Sequence, residues 1–151
     1  MQDIVMHPIG HVKNDITSRK DTSWGKDESV IVLNEEYCFG LEGINDFSHA
    51  LIIYHLDQAE YIKEKHLHRR PQNREDMPLV GIFAQRAKDR PNAIGVTAVE
   101  IVSADEKTLT VRGLDAVDGT PVLDIKPYYP AYDKKDARVP EWTDRLMERY
   151  F

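Results

Sequence analysis

Residues 94–125, IGVTAVEIVSADEKTLTVRGLDAVDGTPVLDI, decide the fold. Ile94, Val96 and Ala98 alternate with polar or small residues, and Val99 and Ile101 continue as a mostly apolar strand. Ala104, Asp105, Glu106 and Lys107 read as a turn, after which residues 108–114 alternate again. Asp118-Gly119 is a tight-turn dipeptide, because glycine accepts positive φ. A third strand follows over 120–125, and Pro121 and Pro127 confine regular pairing to the residues between them. Outward from this block, residues 4–12, 29–33, 50–55 and 79–84 are further strand candidates, with Pro8 expected to bend or bulge the first. About seven short strands with few helices predict a mainly β, closed and mostly antiparallel barrel. The long crossover helices of a parallel, doubly wound sheet are missing. Residues 57–65 read as a short amphipathic helix or a loop. Near the end, Pro140 suits a first helical turn, and Trp142, Leu146, Met147 and Tyr150 recur at helical spacing. That stripe predicts a C-terminal helix packed on the barrel or on a second subunit.

The composition bounds the function. With 151 residues, 41% hydrophobic and 30% charged, the chain is expected to be one globular domain over 1–151 with a real core. Its single cysteine, Cys38, excludes an internal disulfide framework, and the flanking Tyr37 and Phe39 suggest a buried structural thiol. The start, MQDIVMHPIG, lacks the basic and apolar regions of a signal peptide, and no run approaches ~20 apolar residues. A soluble, cytoplasmic protein without a membrane segment is the expectation. The formal net charge of -6 argues against a generally basic nucleic-acid-binding surface. The distribution is uneven, however. Lys63, Lys65, Arg69, Arg70, Arg74, Arg86, Lys88 and Arg90 are opposed only by Glu64, Glu75, Asp76 and Asp89. This segment is either a solvated loop or a localised dock for a polyanion, whose affinity should fall with salt.

Residues 81–96, GIFAQRAKDRPNAIGV, carry the chemistry. Arg86, Lys88 and Arg90 lie between two apolar runs, followed by Pro91, Asn92 and Gly95. Guanidinium groups delivered beside an apolar strand need partners, either internal acids or a ligand carrying carboxylate or phosphate. In residues 113–128, GLDAVDGTPVLDIKPY, a hairpin explains the glycines and prolines better than it explains Asp115, Asp118, Asp124 and Lys126. Asp124 and Lys126 are two apart on a strand, share a face and are able to pair. Asp118 at the turn is placed to accept hydrogen bonds from an amine or ribose hydroxyl, and backbone donors around Gly119 and Thr120 to grip a small polar group. Ser48-His49 is no catalytic pair, since adjacent strand residues face opposite ways. His49, His55, His66 and His68 form no three-ligand pattern, so no metal is expected.

Taken together these blocks resemble one family, the TrmO (YaeB-like) tRNA methyltransferases. The resemblance runs over nearly the whole chain, through Pro8-Ile9-Gly10-His11-Val12, Gly40-Leu41-Glu42-Gly43 and Phe47-Ser48-His49. It is densest in GIFAQR, RPNAIG and LDAVDGTPVLDIKPY. The resemblance implies a β-barrel methyltransferase that binds S-adenosylmethionine, works as a homodimer and methylates the exocyclic nitrogen of threonylcarbamoyl-adenosine beside the tRNA anticodon. It puts His55, Leu56, Arg86, Val96, Asp118, Gly119, Thr120 and Pro121 at the cofactor pocket, with a weaker transfer to Trp24-Gly25, where the pattern differs. Arg90 and Asn92 match its Arg-Pro-Asn motif and are expected to shape the pocket or hold substrate. Gln85, Ala87, Lys88 and Ala93 depart from the common residues, which bears on the loop's conformation. No extra C-terminal domain like that of longer members is expected.

Methyl transfer from a sulfonium is an in-line displacement, so such a protein mainly has to place donor and acceptor together, away from water. Asp118 and His49 are the candidate proton acceptors. Arg69, Arg70 and Arg90 suit the threonine carboxylate, Lys126 is a further substrate-binding candidate, and Tyr128 or Tyr129 stack on a base or pack in the core. Two rival classes stay open: a regulator that binds the cofactor without transferring its methyl, and a methyltransferase acting on another RNA or a small molecule.

Overall fold

The computed structural model describes residues 1–18, 20 and 23–151. Eight strands form among them: β1 (Gly10–Lys13), β2 (Glu28–Leu33), β3 (His49–His55), β4 (His68–Arg69), β5 (Val80–Gly81), β6 (Ile94–Ala104), β7 (Thr108–Arg112) and β8 (Pro121–Pro127). Six of them close into an antiparallel barrel in the order β1-β2-β7-β6-β3-β8. Closure is made where β1 meets β8, with Gly10 opposite Val122 and His11 opposite Pro121. A closed sheet leaves no edge to pair with another chain. β4 and β5 pair outside the barrel as a separate two-stranded sheet. Among the described residues there are also three short α-helices, α1 (Lys63–His66), α2 (Pro130–Asp133) and α3 (Trp142–Met147), and four 3-10 turns.

The period-two pattern explains the core. On β3, Ala50, Ile52 and Tyr54 point inward and are buried, while Leu51 and Ile53 are only half-buried on the outside. Val12, Ile31, Leu33, Val99, Leu109, Val111 and Val122 meet them in one cluster. Each such side chain contributes about 1.5–3 kcal/mol when fully buried. Gly95 on β6 faces Tyr54 across the ladder, and a Cβ there would lie 2.5 Å from the Tyr54 ring. The missing side chain lets the ring lie flat over β6 toward the open end of the barrel. The register of β8 on β3 slips between Ile53 and Tyr54, putting Asp124 opposite Ile53 and Val122 opposite Tyr54.

Several elements differ from the sequence expectation. The first strand begins only after Pro8, whose carbonyl accepts a hydrogen bond from Asn34 Nδ2 at 3.0 Å, and Ile4, Val5 and Met6 are exposed. Residues 79–84 hold two strand residues and then a 3-10 turn over Ile82–Ala84, so their apolar run fills a corner rather than a barrel stave. Of 57–65 only the last three residues enter a helix, which runs over Lys63–His66. Cys38 is half-buried rather than buried. The block that decides the fold behaves as read: β6 runs on to Ala104, β7 pairs with it, and the two prolines are the two ends of β8.

Candidate functional site

A cavity of about 870 Å³ opens at the end of the barrel where β3 finishes and β6 begins. One wall is the loop from Gln85 to Asn92, and another is the start of β6 from Ile94 to Ala98. Asp115, Ala116, Val117 and Thr120 come in from the connection between β7 and β8, and Leu146, Met147, Tyr150 and Phe151 come from α3 and the residues after it. This last segment is seated by backbone bonds, Ser23 N to Arg149 O and Trp24 N to Tyr150 O, both 2.8 Å. Trp24 itself is buried and lines the cavity, donating Nε1 to Lys20 O at 3.1 Å.

The most ordered polar cluster surrounds the Asp115 carboxylate. Tyr54 OH donates to Asp115 Oδ1 at 2.9 Å, and Thr97 Oγ1 donates to the same oxygen. Tyr54 OH and Thr97 Oγ1 also lie 3.0 Å apart, so two hydroxyl protons serve the three contacts of this triangle. Tyr150 OH donates to Asp115 Oδ2. Tyr54 is 3% exposed and Thr97 6%, so the carboxylate rests on a floor closed to water. Burial pushes the Tyr54 phenol pKa far above its ordinary value of 10, and the negative charge of Asp115 pushes it further up, against the Thr97 hydrogen bond. The phenol is a donor, not a base, at neutral pH.

The arginine loop is held by its own residues. Gln85 is 7% exposed, and its Nε2 donates to Arg69 O at 2.8 Å and Val80 O at 3.1 Å, tying the loop to β4 and β5. Its Oε1 is buried without a hydrogen-bond partner among the described residues. Arg90 Nη1 donates to Gln85 O at 3.0 Å and Ala87 O at 3.1 Å, curling the loop around the guanidinium. Arg86 is exposed at the cavity and donates Nη2 to Val96 O. Asp89 anchors the outer side: Oδ1 accepts from Glu60 N at 3.0 Å, and Oδ2 lies 3.8 Å from His66 Nε2 and 4.0 Å from Arg69 Nη1.

Of the residues expected at a site, Trp24, Leu56, Arg69, Arg86, Arg90, Asn92, Val96 and Thr120 line this cavity. The others do not. His55 ends β3 exposed on the opposite face from Tyr54. Arg70 donates to Met77 O. Asp118 is exposed, its Oδ1 accepting from Asn14 N at 2.9 Å, and Gly119 N is spent on Val12 O at 2.7 Å. Thr120 N bonds Val117 O at 3.2 Å within the turn, and Asp118 N bonds Ile16 O at 2.7 Å, so the turn's donors are spent on the turn and on β1 and the residues after it. Pro121 opens β8 just outside the cavity. Lys126 pairs with Asp124 at 2.9 Å on the barrel's exterior, as their spacing suggested. His49 lies at the far end of β3, within 2.7 Å of Ser48 Oγ and tilted against Tyr128. Six residues of extended chain separate it from His55, about 20 Å. The residues that sequence reasoning passed over are Tyr54, Thr97 and Tyr150, together with the central place of Asp115, while Gln85, read as bearing on the loop's conformation, is what ties that loop down. A signal existed for two of them: Tyr54 and Thr97 stand at inward-facing parity on apolar strands, where a polar group needs a partner.

A closed antiparallel barrel whose open end pairs a half-buried carboxylate with an arginine-bearing loop describes a ligand-binding enzyme scaffold rather than a structural module. Residues 12–134 match the family described as tRNA-methyltransferase O N-terminal domain, and the chain belongs to that family. A crystal structure of TrmO from P. aeruginosa superposes with a TM-score of 0.74 at 27% identity, covering 94% of this chain and 62% of that one. A probable S-adenosyl-L-methionine-binding protein of Pyrococcus abyssi is 36% identical over 97% of this chain and 79% of its own. A tRNA (adenine(37)-N6)-methyltransferase of Mus musculus is 37% identical over 62% of this chain and 21% of its own. The chain thus spans about three-fifths of the solved TrmO structure it matches.

Proposed function

We propose that the cavity binds S-adenosylmethionine and that the protein methylates the exocyclic nitrogen of adenosine in tRNA, with threonylcarbamoyl-adenosine beside the anticodon as acceptor. The observation that carries this reading is one cavity, in a chain of the TrmO family, that pairs an acid and an arginine with apolar walls. Its volume of about 870 Å³ suits a cofactor-sized ligand. Leu56, Val96 and Phe83 offer apolar surface for an adenine ring, Arg86 a fork for a carboxylate, and Asp115 a counter-charge for a cation. The residues present therefore fit a zwitterionic, cationic nucleoside.

When bound, the cofactor supplies an electrophilic methyl group for in-line displacement. The chain's own part is positioning. Arg90 rigidifies the loop that presents Arg86, and Arg69 and Asn92 at the rim face an incoming acceptor. The protonated Tyr54 phenol holds the Asp115 carboxylate in one orientation. His49 and Asp118 lie outside the cavity of one chain, so as proton acceptors they would have to serve a site completed by a second copy. Phe83, 78% exposed, with the partly exposed Ile94 and Val96, forms an apolar rim on which a homodimer partner would sit. With tRNA as acceptor the protein would work in the cytoplasm, as a single barrel domain over residues 1–151.

The test is transfer of labelled methyl groups from S-adenosylmethionine to tRNA carrying or lacking threonylcarbamoyl-adenosine. Label in the modified tRNA alone supports the reading. Label in both preparations moves the acceptor elsewhere on RNA. No label in either, with cofactor binding intact, favours the regulator, a reading that the names of the archaeal relatives also suit.

A further inference from the structure

We propose that residues 141–151 form a movable side wall of the cavity, latched shut by Tyr150 on Asp115, through which the small ligand enters and leaves independently of the acceptor. This rests on the proposed pairing of a cofactor with an RNA acceptor. The match to the family ends at residue 134, so α3 and the residues after it lie outside the matched domain, yet Leu146, Met147, Tyr150 and Phe151 line the cavity. The other walls are fixed. The start of β6 belongs to the closed barrel, and the arginine loop is tied down through Gln85, Asp89 and Arg90. Residues 134–140, which lead into the C-terminal wall, are exposed and form neither helix nor strand. None of residues 141–151 is buried, and α3 has six residues and no side-chain cap. A segment with so little buried surface opens locally at a fraction of the cost of global unfolding.

The attachments of this wall are of unequal strength. On its outer side Arg145 donates Nη2 to Asp76 O at 2.7 Å and lies 3.9 Å from Asp76 Oδ2, an exposed pairing that water and salt weaken. On its inner side Ser23 N and Trp24 N donate to the carbonyls of Arg149 and Tyr150, both at 2.8 Å. Gly25 permits that approach, since a Cβ there would lie 2.8 Å from the Phe151 carbonyl carbon. The part-buried bond from Tyr150 OH to the Asp115 carboxylate is charge-assisted, about twice as strong as a neutral one. It ties the wall to the cavity floor and is therefore the latch. The loop side of the cavity carries Arg69 and Asn92, which the proposed function gives to the acceptor. A wall that opens at the C-terminal segment leaves that side occupied while the small ligand exchanges, the gating role that lids serve in other enzymes.

The first test needs no ligand. The Ser23 and Trp24 amides report the wall directly, because their acceptors leave with it. In native-state hydrogen exchange they should open well before the amides of β3 and β6. Tyr150→Phe should speed them about tenfold or more, the scale of one hydrogen bond to a charged group. Gly25→Ala, which presses on the Phe151 backbone instead of removing a hydroxyl, should act in the same direction. Exchange of both amides at the slow rate of the barrel, or no acceleration in either variant, would overturn the proposal. The second test follows S-adenosylmethionine binding by stopped flow. A door that opens more often raises the association and dissociation rates by a similar factor, so each variant should leave Kd within about threefold of the wild type. A faster dissociation with unchanged association would make Tyr150 an ordinary contact of a fixed wall and refute the door. Failure of the wild-type protein to bind S-adenosylmethionine would sink the cofactor reading, a different result, and the two amides would still decide whether the wall moves.

Discussion

Tyr54 illustrates how one side chain serves both the core and the site. Its ring belongs to the buried cluster, while its hydroxyl reaches Asp115 and Thr97. Because burial raises its pKa, the unfolded chain loses the phenolic proton near pH 10 while the folded protein keeps it. Above that pH the unfolded state binds fewer protons, so stability is full below about pH 10 and falls at about 1.4 kcal/mol per pH unit above it. Denaturant unfolding from pH 8 to 11 should show this slope in the wild-type protein and a flatter one in Tyr54→Phe. Parallel curves would mean that the phenol ionises freely in the native state. Arg86 is the opposite case, an exposed residue with little to hold in the core. Arg86→Ala should leave the unfolding midpoint unchanged and weaken S-adenosylmethionine binding about tenfold or more, the scale of one charge-assisted hydrogen bond. An unchanged cofactor titration would remove Arg86 from the binding site.

At the scale of elements, the loop before β6 depends on Gln85 more than on either arginine. Its side-chain amide joins β4, β5 and the loop through two backbone carbonyls, and its backbone carbonyl receives Arg90. Gln85→Ala leaves two part-buried acceptors without their donor, at about 1 kcal/mol each. Limited proteolysis should then cut within residues 85–93 before it cuts the barrel. Protection equal to the wild type would show that Arg90 alone sets the loop. The same elements mark what was legible beforehand. β6, β7 and β8 were readable because period-two alternation, two turns and two prolines all pointed to one register. The 79–84 run was not, since an apolar run turning a corner has the composition of a buried strand. Among site residues, Arg86, Arg90 and Asn92 stood out as charges or amides beside apolar runs. Asp115 was hidden by its company: its partners Tyr54, Thr97 and Tyr150 lie 61, 18 and 35 residues away, a convergence that only closure of the barrel creates.

For the whole molecule, the question is how a chain of net charge -6 meets a polyanion. The basic segment is smaller in three dimensions than in sequence. Arg74 is committed to Asp76 at 2.7 Å, Arg70 to the Met77 carbonyl, and Lys126, away from the segment, to Asp124. Arg69, Arg86 and Lys88 remain on the cavity wall, with Arg69 only loosely paired at 4.0 Å from Asp89. The cations left at the mouth of the cavity are therefore few, while Lys63 and Lys65 of α1 stay exposed outside it, and under the proposed function the mouth would take a protruding base rather than a long duplex face. Each cation that neutralises a phosphate of single-stranded nucleic acid contributes about 0.7 to the slope of log affinity against log salt. Replacing Arg69 and Lys88 together with alanine should weaken tRNA binding at low salt and flatten that slope by about 1.4, with cofactor affinity preserved. Lys126→Ala, on the barrel's exterior, should leave the slope as it is. If the double variant keeps the wild-type slope while Lys126→Ala loses part of it, the RNA docks at the far end of the barrel. Tyr129 and Tyr132 are exposed there beside Phe47, and the cavity mouth would then admit the acceptor base without holding its backbone.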